Sequence, residues 1–474
     1  MLDFKLLIDG TERAGSTDVW QDVQNPATGE VIGRVAHATR DDLDLALQTA
    51  ARGFAEWSAV SNWERGTILK RGAALIRDRC DDLALMLTRE MGKPLREAKA
   101  EVNRSADFIE WAGEQARRIT DVTMQGRQPG NRITIETHPA GVVAAFTPWN
   151  FPMAQAAKKF AGALGAGCAI ICKSPEETPA SVLGMSRALL DAGVPAAAIG
   201  VVYGVPAEIS SYLIPAPQVA KVTFTGSIPV GKLLAVQAGQ AMKPVTMELG
   251  GHAPVIVCKD MDPVATADIL VKGKFANAGQ ICMSPTRFFV EDDIHDVFVS
   301  RFAEMAGKLT VGPGEEDSTD MGPLLSERRL TAISELVEDA RQRGATVHTG
   351  GQRIGNTGAF YAPTVLSDIA PDARVMREEP FGPIAAIQRF DDEDAMLGVA
   401  NGLEFGLSSY VYTNDAARQR RLSDRLKYGV VGINDLPAHM PEIPLGGWKE
   451  SGYGTEGGQS ILEPFQKTKV VSHR

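Results

Sequence analysis

Cys282 lies in "GQICMS", residues 279–284, and is one of five cysteines in 474 residues. A free cysteine is usually a packed apolar side chain, but a thiol beside a glycine turn can also serve as a nucleophile. Other short stretches supply the groups such a nucleophile would need. "TPWNFP", residues 147–152, holds Asn150 in a turn stiffened by two prolines and two aromatics. An Asn amide can donate to an oxyanion or simply bond its own turn. "MELGGHAP", residues 247–254, places Glu248 before paired glycines, where a carboxylate can act as a general base. His252 beside that turn reads as structural. "EEPFGP", residues 378–383, sets Glu379 and Phe381 in a second proline-flanked turn.

Two further stretches suit a nucleotide. Lys173 and Glu176 follow the apolar run "CAIICK". A carboxylate at a strand end can accept the hydroxyls of an adenosine ribose and repel a 2′-phosphate, or the two residues form a surface charge pair. "TGSIPVG", residues 225–231, offers Gly226 for a tight turn, Ser227 as a helix cap and Gly231 for close packing. The helix that follows presents free N–H groups to a pyrophosphate. Its GxxxxG spacing departs from the usual GxGxxG fingerprint, and the ribose acid lies upstream of it.

These groups need a frame, and from about residue 138 the chain supplies one. "AGVVAAF", "CAIICK", "IGVVYG" and "VAKVTFTG" read as strands. They alternate with helical stretches, one of which opens with the Thr178–Pro179 cap signal. Apolar strands alternating with helices mean βαβ units and a parallel, doubly wound sheet, with ligands expected beyond the carboxyl ends of its strands. Residues 39–118 read as helical. Residues 119–137 turn polar and β-branched, as does the tail, and two short strands forming an arm are expected there. A second α/β unit, 250–447, has strands at "APVIVC", "RFFVE" and "GVVGIND".

Length suggests about three folding units of ~150 residues. With 44% hydrophobic and 23% charged residues the composition is that of a globular chain. A net charge of −10 gives no reason to seek nucleic acid or an anionic membrane. No secretion signal and no run of ~18 apolar residues is read, so a cytoplasmic protein is expected. Cys80, Cys168, Cys172, Cys258 and Cys282 include no CxxC pair, which argues against a disulfide framework or a zinc site. No metal is expected, and Cys168 and Cys172 belong to a buried strand.

Taken together and in this order, "TPWNFP", "FTGS", "MELGG", "GQIC" and "EEPFGP" resemble the NAD(P)-dependent, non-acylating aldehyde dehydrogenase superfamily, from about residue 6 to 469. The resemblance implies Cys282 as nucleophile, Asn150 with the Cys282 N–H as oxyanion donors, and Glu248 as the base for hydrolysis. Lys159 and Glu456 match a proton-relay pair. Lys173 and Glu176 match adenosine-ribose contacts, and Gly226 and Ser227 the pyrophosphate turn. Glu379 matches the nicotinamide-ribose contact with Phe381 beside the ring; Thr147, Trp149 and Gly250 are likewise expected at the cofactor. NAD is expected over NADP. The implied organisation is a Rossmann-like NAD-binding domain, 1–118 and 138–249, a catalytic domain, 250–447, and an oligomerisation arm, 119–137 and 460–474, in a homodimer or homotetramer. A cysteine-dependent hydrolase would leave the nucleotide residues unexplained. Glu248 disfavours a CoA-dependent acylating member, and Cys282, Asn150 and Glu248 together disfavour a silent one.

The substrate side is less determined. Lys158 and Lys159 are adjacent on a helix, so their side chains diverge by ~100°. With Lys159 inward, Lys158 either snorkels to solvent or enters an aldehyde tunnel beside Phe151. Succinate-semialdehyde dehydrogenases carry an arginine at this position. Lysine keeps the charge and loses the bidentate fork. Their second arginine, six residues before the nucleophile, is Ala276 here. A semialdehyde is expected, with neutral aliphatic or aromatic aldehydes as the alternative.

Overall fold

The computed structural model describes residues 2–436 and 440–474. Its first layer is helical: α1 (Arg40–Ser58), α2 (Asn62–Asp78), α3 (Cys80–Met91) and α4 (Leu95–Ala116). α1 opens with a capping box, in which Thr39 Oγ1 accepts from the Asp42 N–H at 3.3 Å and the Asp42 carboxylate accepts from the Thr39 N–H at 2.8 Å.

Five parallel strands then alternate with helices α5 (Pro152–Ala166), α6 (Pro179–Asp191), α7 (Pro206–Leu213) and α8 (Ile228–Gln240). Across the sheet the strands run Val245–Glu248, Val219–Thr225, Val142–Phe146, Ala169–Lys173 and Ile199–Val202. The chain starts in the middle at Val142–Phe146, winds one way, then returns to the other side. The topological switch therefore falls between Phe146 and Phe224, which are paired in register. Open α/β sheets bind ligands at such a crevice.

α5 is buried along its whole length, which explains its alanine-rich sequence. A Cβ on Gly162 would sit 2.2 Å from the Phe465 ring, so only glycine lets that side chain pack here.

Three features depart from expectation. The sheet also takes up an N-terminal hairpin, Leu6–Ile8 and Thr11–Arg13, along one edge. Asp9 and Gly10, with φ of 56° and 67°, form its tight turn. The arm has three strands, not two. Residues 119–137 fold back through Gly126 and Asn131, so that Val122–Gln125 and Arg132–Pro139 pair beside Gln466–His473. Thr178 and Ser227 sit at the N-cap positions of α6 and α8, yet neither side chain caps. At α6 the Glu90 carboxylate caps instead, accepting from the Ala180 and Ser181 N–H groups at 2.8 and 3.0 Å.

A second sheet of seven strands includes Ala253–Val257, Pro285–Glu291, Ile384–Phe390, Ser408–Tyr412 and Val430–Ile433, all parallel. Each sheet centres its own apolar core, and Ile461, Leu462 and Phe465 return to the first. No helix among the described residues is long and apolar enough to cross a membrane.

Candidate active site

The turn after Phe146 carries Thr147, Trp149, Asn150 and Phe151. Asn150 is buried, and its Nδ2 donates to the Gln280 carbonyl at 2.9 Å, which ties this turn to the Cys282 segment. The Asn150 carbonyl accepts from Lys93 Nζ at 2.9 Å and from Asn277 Nδ2 at 3.1 Å. Cys282 follows a left-handed pair, Asn277 and Ala278, with φ of 49° and 53°. Non-glycine residues hold that conformation only where the surroundings impose it. Here Glu97 Oε2 accepts from the Asn277 N–H at 2.9 Å, and Gln280 Oε1 accepts from the Leu325 N–H at 3.0 Å.

Cys282 is half-buried and unpaired. It opens onto a cavity of about 250 Å³ that Lys158, Phe151, Phe108, Ala276, Leu436 and Tyr410 help to line. Burial pushes its thiol up to about 12; the Lys158 charge is the main influence in the opposite direction. Lys158 is buried, with its ammonium 5.6 Å from the Phe108 ring centroid, so it does not snorkel to solvent. Burial lowers its pKa, while Glu456, Glu248 and Cys282 act to raise it.

Glu248 ends its strand, and its backbone carbonyl accepts from the Gly226 N–H at 3.1 Å. Its carboxyl is held well above the usual carboxylate range, first by burial and then by Glu456. Glu248 Oε1 is buried with no partner among the described residues, as is Glu456 Oε2. The other Glu456 oxygen accepts from Lys159 Nζ at 2.6 Å and Thr223 Oγ1 at 3.3 Å. Burial acts to raise Glu456, but Lys159 and then Lys158 bring it below its ordinary value. Two unpartnered carboxylate oxygens are thus buried here, one of them on the Glu248 carboxyl that acts on the thiol, a setting for handling water and protons.

The nucleotide candidates line the strand ends. Lys173 Nζ lies 2.8 Å from the Glu176 carboxylate, which also accepts from the Gly204 N–H at 2.8 Å. α8 begins after Gly226 and Ser227 without a side-chain cap, leaving its first N–H groups available to an anion. Glu379 Oε1 accepts from the Gly251 N–H at 3.1 Å, and a Cβ on Gly250 would lie 2.4 Å from Glu379 Oε2. Burial pushes the Glu379 carboxyl up to about 7. Phe381 packs edge-on against Trp149, with centroids 5.4 Å apart. An uncapped helix start, a buried Lys–Glu pair and a carboxylate against paired glycines fit the phosphates and riboses of a nicotinamide dinucleotide. Lys173, Glu176, Gly226 and Ser227 do not line the cavity; they stand at or just beyond the carboxyl ends of the strands Ala169–Lys173 and Val219–Thr225. His252 bonds Thr286 Oγ1 at 2.8 Å and the Val375 carbonyl at 3.1 Å, remote from any role as a thiol partner.

The supporting network came unannounced. Glu101 Oε1 caps α5 by accepting from the Met153 and Ala154 N–H groups at 3.0 and 3.1 Å, and its Oε2 accepts from Lys93 Nζ at 2.6 Å. Lys93 also lies 3.7 Å from the Phe151 ring centroid. Lys93, Glu97 and Glu101 recur every four residues, a pattern that ordinarily marks a solvated helix face. Pro94, which breaks the helix between them, was the one available hint.

A doubly wound sheet whose switch-point turn is tied to the Cys282 segment, with an uncapped helix start and a buried Lys–Glu pair at its strand ends, suits a dinucleotide-dependent oxidoreductase. The family model "Aldehyde dehydrogenase family" matches residues 13–471, and the chain belongs to that family. It is 44% identical over 469 residues to the 4-(hydroxymethyl)benzenesulfonate dehydrogenase of Comamonas testosteroni, covering 99% of this chain and 98% of that one. It is 39% identical to the NADP+ succinate-semialdehyde dehydrogenase of Escherichia coli, covering 95% and 93%. The crystal structure of succinate-semialdehyde dehydrogenase from Burkholderia pseudomallei superposes with a TM-score of 0.97 at 39% identity, covering 99% and 97%. The protein is thus an NAD(P)-dependent dehydrogenase acting on aldehydes.

Proposed function

We propose that the substrate is an aldehyde bearing a carboxylate or similar anion, succinate semialdehyde being the simplest case, and that NAD is the preferred acceptor. One observation carries this reading: Lys158 is buried in the wall of the cavity that holds Cys282. The substrates named for two of the relatives carry a carboxylate and a sulfonate, which agrees with a cation in the cavity. The apolar walls favour neutral aldehydes as the second reading.

In the proposed reaction Cys282 adds to the aldehyde carbon, aided by the Lys158 charge that favours thiolate. Asn150 Nδ2 and the Cys282 N–H donate to the oxygen that becomes alkoxide. A nicotinamide dinucleotide held by Glu176, the Gly226–Ser227 turn and Glu379 would supply the hydride acceptor for this adduct. Cys282 is then acylated. Glu248 takes a proton from water, which attacks the thioester and releases acid and thiol; Glu456 and Lys159 pass the proton on. Pinning of the Glu176 carboxylate by Lys173 and the Gly204 N–H supports NAD, because a 2′-phosphate would meet a carboxylate unable to turn away. The division into NAD-binding, catalytic and arm regions belongs to the same proposal. Val122, Met124 and Val470 stand 45–66% exposed on the arm, which favours its burial in a dimer or tetramer.

The test compares kcat/KM for succinate semialdehyde and butanal in Lys158→Met. Because Lys158 also acts on Cys282, both values can fall. The succinate semialdehyde value should fall ~10- to 150-fold further, the worth of a charge-assisted contact. Equal losses, or a wild type that prefers butanal, would refute the anionic reading.

A further inference from the structure

Lys158 is not the only cation on the cavity wall. Arg104, on α4, lines the same cavity. Its guanidinium has no hydrogen bond or ion pair among the described residues. Its charged neighbour Lys93 carries the same sign and repels it. Unsatisfied guanidiniums on a concave wall are unusual, because the fork of donors is readily paired.

Depth distinguishes the two cations. Lys158 lies near the reacting end, where it acts on both Cys282 and Glu248. Arg104 is not among the main influences on either group. It stands four residues before Phe108 on α4, about one helical turn or ~5.4 Å along the axis. Phe108 is 2% exposed while Arg104 is half-buried, so that turn leads outward. The cavity wall also carries the apolar side chains of Phe108, Phe151, Ile281 and Leu436, together with Gln155. The cavity, about 250 Å³, is near the small end for ligand sites at ~300–1,000 Å³.

We infer that Arg104 is a second, outer anion contact, selecting aldehydes whose carboxylate or sulfonate is separated from the carbonyl by an apolar spacer about as long as one aromatic ring. The inference rests on the reading of this cavity as the aldehyde site. The spacer packs against Phe108 and Phe151, the aldehyde carbon reaches Cys282, and the anion meets the guanidinium fork. A shorter semialdehyde reaches only Lys158, so the two cations serve two substrate lengths.

The experiment measures kcat/KM of the wild type, Arg104→Met and Arg104→Lys with 4-carboxybenzaldehyde, 4-sulfobenzaldehyde, benzaldehyde and succinate semialdehyde. Arg104→Met should lose about 10- to 100-fold on the two charged aromatic aldehydes, chiefly through KM, and about twofold or less on benzaldehyde and succinate semialdehyde. Arg104→Lys should recover part of the loss, and the carboxylate and sulfonate arms show which anion is held better. Uniform loss on all four substrates would make Arg104 merely structural, and no loss on any would make it a solvated side chain; either result overturns the proposal. Both leave the Lys158 reading standing, since that reading fails only if the wild type prefers neutral aldehydes or Lys158→Met costs succinate semialdehyde and butanal equally.

Discussion

Lys159 donates to Glu456 Oε1 at 2.6 Å across 297 residues of chain, and both side chains are buried. After burial, Glu456 is also the largest influence that raises the Glu248 carboxyl above its ordinary range. Glu456→Gln removes that negative charge, so Glu248 should release its proton at lower pH. A base acts when unprotonated, so the acid limb of the steady-state rate should move to lower pH. Lys159→Met leaves a buried carboxylate uncompensated and should cost about 3–5 kcal/mol of stability. A pH–rate profile of Glu456→Gln with an unmoved acid limb would uncouple Glu456 from the base.

Lys93 and Glu101 hold the Asn150 turn from beneath. Lys93→Met removes a donor from the Asn150 carbonyl and strands the Glu101 charge. The expected result is a fall in kcat of about tenfold or more, bounded by the ~10²–10³-fold cost of losing an oxyanion donor outright. KM for aldehyde should change little. Kinetics on protein shown to be folded by circular dichroism would test this; a change in KM alone would count against a positioning role.

Much of this site could be read from the chain because its chemistry sits at strand ends, and strand ends are marked locally. Asn150 and the Gly226 turn each follow a stretch that reads as a strand, and Glu248 precedes paired glycines. Contacts made between distant segments gave no such mark. Glu97 supports Asn277 across 180 residues, and Glu101 caps α5 across about 50, yet both look like surface charges on a helix. Ser227 shows the opposite error, since a good cap residue in the right place leaves its helix uncapped. The side of the helix that Lys158 takes could not be read either: two adjacent lysines give two directions and no way to choose. Packing decided it, because every residue of α5 is buried.

Cofactor preference should follow Glu176. In the wild type kcat/KM should be higher with NAD than with NADP, and Glu176→Ser should narrow the gap by removing a charge that would face a 2′-phosphate. The same substitution frees Lys173 from its 2.8 Å partner, which adds to the gain with NADP. Equal values for both cofactors in the wild type would refute the preference.

Thiol reactivity reports on Lys158 independently of substrate. Burial pushes Cys282 up to about 12, with Lys158 as the main opposing charge. Lys158→Met should raise the thiol pKa further and lower the thiolate fraction at any pH below it. Alkylation of Cys282 by iodoacetamide at one mildly alkaline pH, followed by peptide mass, should therefore be slower in Lys158→Met. Unchanged or faster alkylation would show that the ammonium does not act on the sulfur.

The proposed reaction passes through a thioester on Cys282 that Glu248 hydrolyses. The most direct measurement is the mass of Glu248→Gln protein quenched in acid after mixing with NAD and succinate semialdehyde. The predicted result is one acyl group per active site, located on the Cys282 peptide and formed together with about one equivalent of NADH, with slow turnover afterwards. Cys282→Ala should show neither the adduct nor the NADH. An adduct on another residue, or rapid turnover in Cys282→Ala, would contradict the account.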